Sequence, residues 1–228
     1  WQGDFHNAKQ LMQAMARRID QSAKRRTKKP TPPPEGLHPA AHAFHLHRQA
    51  QAHRARILGS IVLPVAGDYS LALRRAPNVQ QACTEAWGPA KGQDAHIALR
   101  ELLGVIGAHE WRKKGVEIPA LGAPPNNRIH PYYGVFSPVR GEYIDLVHQA
   151  PLPSKALAFD IGVGTGVLSA VLAKRGVQHV VATDQDPQAL ACAQDNLQRL
   201  GLSSQVSLQQ TDLFPAGVAP LIVCNPPW

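Results

Sequence analysis

Hydrophobic residues in the second half of the chain are grouped into four short runs. The two segments that separate the first, second and third of these runs have the periodicity of helices. The four runs are typical of buried strands: ALAFDIG, VQHVVATD, VSLQQTD and APLIVCN. The apolar residues of VLSAVLAKRG and PQALACAQDNLQRLG instead recur every three or four positions, as on one face of a helix. Strands that alternate with helices predict a parallel sheet with helices on both faces, from about residue 155 onward.

The first 120 residues have a different pattern, which predicts a mostly helical domain. Seven apolar residues at three- and four-residue spacing predict a first helix of about five turns: Phe5, Ala8, Leu11, Met12, Met15, Ala16 and Ile19. A proline-rich linker near residues 30–36 follows, and the segment from His38 to about Leu58 is predicted to be helical again. SIVLPV predicts a short strand. Asp94 is predicted to cap a helix that includes Ile97 and ends at Gly115.

Composition places the chain among globular proteins. Hydrophobic residues make up 44% of its 228 positions, which is enough for a sizeable core. No apolar run approaches the roughly 18 residues that span a bilayer, and the start lacks a signal pattern, so we expect a cytoplasmic protein. The three cysteines are an odd number and widely spaced, so buried thiols are expected rather than disulfides or a zinc site. The first residue is Trp, and the sequence is expected to be part of a longer product.

The net charge of +8 is concentrated near the start of the chain. Residues 1–56 hold eleven Lys and Arg against three acidic residues, whereas the remainder has thirteen of each sign. A basic segment joined to a neutral domain is a candidate surface for a phosphate backbone, and a solvated flexible tail is the alternative interpretation. His38, His42 and His45 fall on one helical face, but no Cys or carboxylate lies near them, so no metal site is predicted.

Acidic residues and glycines follow the predicted strands of the second half. Gly162, Gly164 and Gly166 lie where the first strand gives way to a helix and allow a close backbone approach to a ligand. Their spacing differs from G-x-G-x-x-G, which argues against a nicotinamide cofactor. Asp184 ends the second strand and can accept hydrogen bonds from both hydroxyls of a ribose. Asp212 ends the third predicted strand, where a carboxylate can bind the amino group of adenine.

Asp160 ends the first strand, so that three consecutive strands carry an acid at the same edge of the sheet. In this order and spacing, FDIGVGTG, ATDQD, TDLF and NPPW resemble motifs I to IV of the class I S-adenosylmethionine-dependent methyltransferases. The resemblance covers roughly residues 129–228, under half of the chain. It implies an α/β, Rossmann-like methyltransferase domain over residues 121–228, behind a helical, basic domain over residues 1–120. The family fold has seven strands and this chain reaches the fourth, so we expect further strands beyond residue 228.

The resemblance also implies S-adenosylmethionine as the cofactor and assigns its contacts. The glycine loop would lie against the methionine part, Asp184 would bind the ribose, and Asp212 would bind the adenine amino group. The remaining implied cofactor residues are Asp160, Gly162, Gly164, Thr165, Gly166, Phe136 and Pro138.

NPPW is similar to the [DN]-PP-[YFW] signature of the amino-group methylating branch, which implies catalytic roles for Asn225, Pro226, Pro227 and Trp228. An sp² amine is a poor nucleophile because its lone pair is delocalised. The Asn225 side-chain oxygen and the Pro226 carbonyl can accept hydrogen bonds from the target NH₂ and direct its lone pair at the methyl group. Trp228 would stack on the planar target.

The substrate is less defined by the sequence. The upstream segment RIHPYYGVFSPVRGEYIDLV would close Tyr133, Phe136 and Pro138 over the cofactor, and its GVFS resembles guanine-N2 methyltransferases of ribosomal RNA. PVRGEYIDLV is less closely similar to HemK-like release-factor glutamine methyltransferases. The basic N-terminal segment favours RNA methylation over glutamine methylation of a protein. A third hypothesis is a nucleic-acid-binding protein with an inactive methyltransferase domain.

Overall fold

The computed structural model describes residues 3–27, 33, 36 and 38–226. Most of the predicted proline-rich linker, and also Pro227 and Trp228, lie outside these described residues. The chain divides into two compact units, Trp1–Ile106 and Gly107–Trp228.

The described residues of the first unit form three helices, the start of a fourth and a short antiparallel strand pair. Its elements are α1 (Phe5–Thr27), α2 (Pro39–Gly59), β1 (Val62–Val65), α3 (Gln80–Trp87), β2 (Ala95–Ala98) and the start of α4 (Leu99–Lys114). The first helix extends beyond its apolar positions into the basic residues, and the predicted helix and strand around α2 and β1 are confirmed.

The predicted cap at Asp94 is wrong. Residues Ala95–Ala98 form β2 and pair with β1, and the helix begins only at Leu99. The Asp94 carboxylate instead accepts a hydrogen bond from the Gly67 backbone N–H at 2.8 Å. Ile97 therefore lies in a strand, because pairing with Leu63 satisfies its backbone groups in a way that local helix signals do not reveal.

The second unit is built on a four-stranded parallel sheet. After the end of α4 it contains β3 (Val116–Glu117), β4 (Arg128–Ile129), α5 (Glu142–Gln149), β5 (Leu157–Ile161), α6 (Val167–Lys174), β6 (His179–Asp184), α7 (Pro187–Arg199), β7 (Val206–Gln210) and β8 (Leu221–Cys224). The strand order is β7-β6-β5-β8, and all three neighbouring pairs are parallel. The four predicted strands and the two helices between them are confirmed, in a Rossmann-like arrangement.

One core joins three helices to one face of this sheet. The alternate strand residues Ala158, Val180, Ala182 and Val206 are buried in the same cluster as residues of α5, α6 and α7. The connection from β7 to β8, residues 211–220, contains no helix.

The described part of the chain has no helix that is long and apolar enough to cross a membrane. In those same residues, no group of three or more His, Cys, Asp or Glu side chains is arranged to hold a metal ion.

Candidate functional site

A cavity of about 660 Å³ lies at the carboxyl ends of the parallel strands. The chain passes from β5 to β6 and β7 on one side and returns to β8 on the other, so the cavity lies at the point where the strand order reverses. This is the usual place for a ligand in an open α/β sheet, and the volume suits a small organic molecule.

Most of the predicted site residues meet in this cavity. Its lining includes Phe136, Asp160, Gly162, Gly164, Thr165, Asp184, Asn225 and Pro226. The lining does not include Pro138, Gly166 or Asp212. The two remaining predicted residues, Pro227 and Trp228, are outside the described residues.

The loop between β5 and α6 is tied to the end of β6. The backbone N–H groups of Gly162 and Val163 both donate to the Thr183 carbonyl, at 2.9 and 2.8 Å. The Gly164 N–H donates to Oδ2 of Asp184 at 3.1 Å, with Gly164 at a φ of +51°. Because hydrogen bonds to the neighbouring strand hold this left-handed backbone in place, the peptide groups of Gly162 and Gly164, which carry no side chains, lie at the cavity wall.

A glycine is required at position 166 for packing and not for contact with a ligand. It caps α6 with a φ of +81°, and an added Cβ would lie 3.2 Å from both Cα and Cβ of Ala193 on α7. Only a residue without a side chain lets the start of α6 approach α7 this closely. Gly166 therefore shapes the loop from behind, which agrees with its absence from the cavity lining.

Asp160 is the buried charge of the site. It is 1% exposed, lies near the end of β5, and accepts a hydrogen bond from the Ser169 hydroxyl at 2.6 Å. Burial raises the pKa of Asp160 to about 6, and the charge of Asp184 acts in the same direction, while the Ser169 bond opposes both. No Lys, Arg or His among the described residues forms an ion pair with this carboxylate. A cavity wall that holds an uncompensated carboxylate suits a cationic ligand group.

Asp184 ends β6 and is held by backbone donors. Its Oδ2 accepts the Gly164 N–H, and its Oδ1 accepts the Asp186 N–H at 3.1 Å. Asp186 itself caps α7 by accepting the Gln188 N–H at 2.9 Å. The two carboxylates therefore have different partners: Asp186 caps α7, whereas Oδ2 of Asp184 is held by the Gly164 N–H of the glycine loop.

Asp212 is not among the residues that line the cavity. β7 ends at Gln210, and Asp212 is exposed in the loop that follows, where its neighbours Thr211 and Leu213 line the cavity. The Thr183 hydroxyl donates to the Leu213 carbonyl at 2.6 Å and fixes this loop beside β6. Leu213 has a positive φ of 61°, which is uncommon outside glycine and marks a constrained position next to the site.

Tyr143 is a cavity residue that the sequence reasoning missed. It lines the cavity together with Phe136, and the two ring centroids are 6.2 Å apart. Burial, followed by the nearby charge of Asp160, raises the pKa of Tyr143 to about 12, so the hydroxyl keeps its proton at neutral pH. The only signal in the sequence was an aromatic residue at the start of a helix, and α5 brings it to Asp160 by packing against α6.

Asn196 on α7 fastens the upstream segment to the glycine loop. It is fully buried, and its Oδ1 accepts the His130 N–H at 2.7 Å. Its Nδ2 donates to the Thr165 carbonyl at 3.0 Å and to the His130 carbonyl at 3.3 Å. One amide thus joins three backbone groups and holds the segment that leads to Phe136 beside the loop.

Comparison with known proteins places this arrangement among methyltransferases. Residues 144–226 match the family model of ribosomal protein L11 methyltransferase (PrmA). A release factor glutamine methyltransferase of Cereibacter sphaeroides is 38% identical over 92 residues, which are 39% of this chain and 33% of that protein. A ribosomal protein L11 methyltransferase of Xanthomonas axonopodis pv. citri is 36% identical over 66 residues, 29% of this chain and 22% of that protein.

A solved structure of human methyltransferase 10 domain containing protein is similar at 16% identity, with a TM-score of 0.39, over 56% of this chain and 62% of that one. The chain spans a third or less of the length of the two curated relatives described above.

Proposed function

This chain carries a class I S-adenosylmethionine-dependent methyltransferase domain, and on that premise we propose that it methylates an sp² amino nitrogen, in RNA rather than in protein. S-adenosylmethionine supplies a methyl group on a sulfonium, which the nitrogen lone pair takes up while the sulfur keeps the bonding pair and the nitrogen releases a proton. The proposal includes a cytoplasmic location, as the sequence predicts.

The site fits this cofactor. S-adenosylmethionine carries an ammonium, a sulfonium and a ribose diol, and the cavity offers a buried carboxylate at Asp160 and a fixed carboxylate at Asp184. Asp160 would attract the cationic end, and Asp184 would accept hydrogen bonds from the ribose hydroxyls. The bare peptide groups at Gly162 and Gly164 allow the ligand to approach the backbone between them.

The observation that carries the proposal is that Asn225 and Pro226 line the same cavity as these two carboxylates. An amide oxygen and a carbonyl at this place can both accept hydrogen bonds from a target NH₂. They would thereby hold its lone pair toward the methyl group, and positioned acceptors of this kind contribute through geometry and electrostatics rather than through strong base catalysis.

The choice of RNA is supported by the charge of the chain. The excess of positive charge lies within residues 1–56, and exposed basic side chains occur on both described helices of that segment, such as Arg17 on α1 and Arg48 on α2. A basic surface attracts the phosphate backbone of a nucleic acid whatever its sequence.

A second candidate is glutamine N5-methylation of a protein. It is favoured by the 38% identity to a release factor glutamine methyltransferase, since a glutamine side chain also presents an sp² NH₂ to the Asn225 and Pro226 acceptors. The cofactor site is compatible with both substrates, so an experiment has to separate them.

The test uses tritiated S-adenosylmethionine and a cell extract, with the label then treated separately with ribonuclease and with protease. Ribonuclease-sensitive label supports RNA methylation, and protease-sensitive label replaces it by the glutamine candidate. Binding of the cofactor without any transfer would favour the inactive nucleic-acid-binding hypothesis.

Asn225→Ala should lower the rate more than about a hundredfold while cofactor binding is kept, because the target amine loses a positioned acceptor. The matched control is Asn126→Ala, the same substitution at an exposed asparagine outside the cavity lining, which should stay within twofold. A rate loss of similar size in both variants would contradict the role of Asn225.

A further inference from the structure

Helix α2 is unusually exposed along its middle. All residues from 43 to 53 are exposed, so the helix has no buried face over three turns. Its 21 residues contain three arginines and no Asp or Glu. A helix that is exposed on all sides and carries charge of only one sign gains little from packing and presents that charge to the surroundings.

Histidine side chains and one arginine side chain recur along one side of this helix. Six residues recur at three- and four-residue spacing and form what we call the α2 stripe: His38, His42, His45, Gln49, His53 and Arg56. The stripe spans 18 residue steps, or about 27 Å at 1.5 Å per residue. The Arg56 guanidinium lies 3.2 Å from Nδ1 of His53, so neighbouring members are in contact.

The opposite side of α2 makes the contacts that hold the helix. Arg54 donates to the Asp20 carboxylate on α1 at 3.0 Å, and Leu58 is buried. Arg54 and Leu58 are four residues apart and lie roughly opposite the α2 stripe, given 100° of rotation per residue. The α2 stripe therefore faces away from α1.

An aromatic ring and a second guanidinium lie on an adjoining side of α2, where Phe44 contacts His45 of the α2 stripe with ring centroids 6.0 Å apart. Phe44 is 58% exposed, and the guanidinium of the exposed Arg48 lies 6.0 Å from its ring centroid. A ring and a planar cation side by side offer a stacking surface for a base and bidentate donors for a phosphate.

Two other partners fit this surface poorly. A membrane would require an apolar stripe, but the exposed apolar residues Phe44 and Leu46 are two positions apart and point to different sides of the helix. A metal ion is disfavoured because the imidazoles of the described residues are not grouped for coordination.

We infer that the α2 stripe, with Phe44 and Arg48, is the docking surface for a single-stranded segment of the RNA substrate. The inference rests on the proposed function, since it locates where that substrate is held. Phosphates lie along the basic side chains, and a base stacks on Phe44. Helix α2 itself carries no carboxylate that would repel a polyanion.

Binding of a fluorescent, unstructured 20-nucleotide RNA to the full chain tests this without methyl transfer. The double variant Arg48→Gln with Arg56→Gln should bind about tenfold or more weakly at 150 mM salt. The slope of its plot of log affinity against log salt concentration should also be shallower by about 1.4. The variant loses two phosphate contacts, and each contact contributes about 0.7 to this slope on a single strand. Phe44→Ala should weaken binding without changing that slope, because stacking releases no counterion.

The control is Lys91→Gln with Arg100→Gln, which removes the same charge from exposed positions elsewhere in the first unit. Equal loss in both double variants would overturn the inference in favour of diffuse attraction. Displacement of the RNA by polyglutamate at equal charge concentration would overturn it in favour of an acidic polypeptide. Folding of each variant is checked by circular dichroism.

The methylation assay separates this inference from the proposed function. If the double variant Arg48→Gln with Arg56→Gln incorporates as much ribonuclease-sensitive label as the wild type, the docking surface is refuted and the proposed function stands. If RNA binding depends on Arg48 and Arg56 but the label is sensitive only to protease, the docking surface stands and RNA is refuted as the substrate.

Discussion

Asp160 is a buried carboxylate for which we propose a role in cofactor binding, and the substitution Asp160→Asn separates its cost in folding from that proposed role. Asparagine has nearly the same shape and keeps an oxygen acceptor for the Ser169 hydroxyl, which lies 2.6 Å from the carboxylate. It carries no charge at any pH. The comparison therefore measures what burying the charge of this carboxylate costs.

The magnitude follows from the shifted pKa. Burial raises the pKa of Asp160 from its ordinary 3.8 to about 6, so the folded chain holds the proton more tightly than the unfolded chain. The stabilising effect of the bound proton is fully present below pH 3.8 and is lost as pH rises through 6. At pH 7.5 the ionised carboxylate then costs about 3 kcal/mol of folding free energy, and at pH 4.5 about 1 kcal/mol.

The assay is urea unfolding without cofactor, followed by far-ultraviolet circular dichroism at pH 7.5 and 4.5. Asp160→Asn should be more stable than the wild type by up to about 3 kcal/mol at the higher pH, and the gain should shrink to about 1 kcal/mol at the lower. Asp145→Asn, at an exposed carboxylate on α5, should change stability by less than about 0.5 kcal/mol at both. A variant less stable than wild type at pH 7.5, or a gain that does not depend on pH, would refute the reasoning.

The same variant should bind S-adenosylmethionine about tenfold or more weakly by calorimetry, because a charge-assisted contact with the cationic end of the cofactor is replaced by a neutral one. Wild-type affinity should also fall below pH 6, where Asp160 gains its proton, and this fall should be absent in Asp160→Asn. A variant that is both more stable and equally good at binding the cofactor would show that the carboxylate has no role there.

Three further substitutions, two of them paired with a comparison variant, test how the site is built. Gly166→Ala should lower the free energy of unfolding by about 2 to 3 kcal/mol in urea melts, since it adds a close contact with Ala193 to a left-handed backbone. Gly201→Ala, with a similar positive φ and open space, should cost only about 1 kcal/mol, and equal costs would contradict the packing argument. Asn196→Ala should cost about 2 to 4 kcal/mol because three backbone groups lose their partner, and wild-type stability would disprove that role. Asp184→Asn should weaken cofactor binding about tenfold by calorimetry, whereas Asp212→Asn should change it less; the reverse order would restore the sequence assignment.

The parts of this protein that depend on local signals could be predicted from sequence. The four parallel strands, the two helices between them and the Asp186 cap follow from hydrophobic period and from cap chemistry, which act within a few residues. The Asp184 position follows in the same way, because a carboxylate that ends a strand in a parallel sheet must lie at the ligand edge.

Other features were decided only by contacts between distant parts of the chain. Asp94 is of a residue type that favours helix caps, yet residues Ala95–Ala98 pair with a strand whose residues lie 30 to 36 positions earlier. Tyr143 reaches Asp160 because α5 packs against α6, and the loop after β7 is fixed beside β6 because the Thr183 hydroxyl donates to the Leu213 carbonyl. Pairing and burial of this kind depend on which residues meet in space, and no local pattern encodes that.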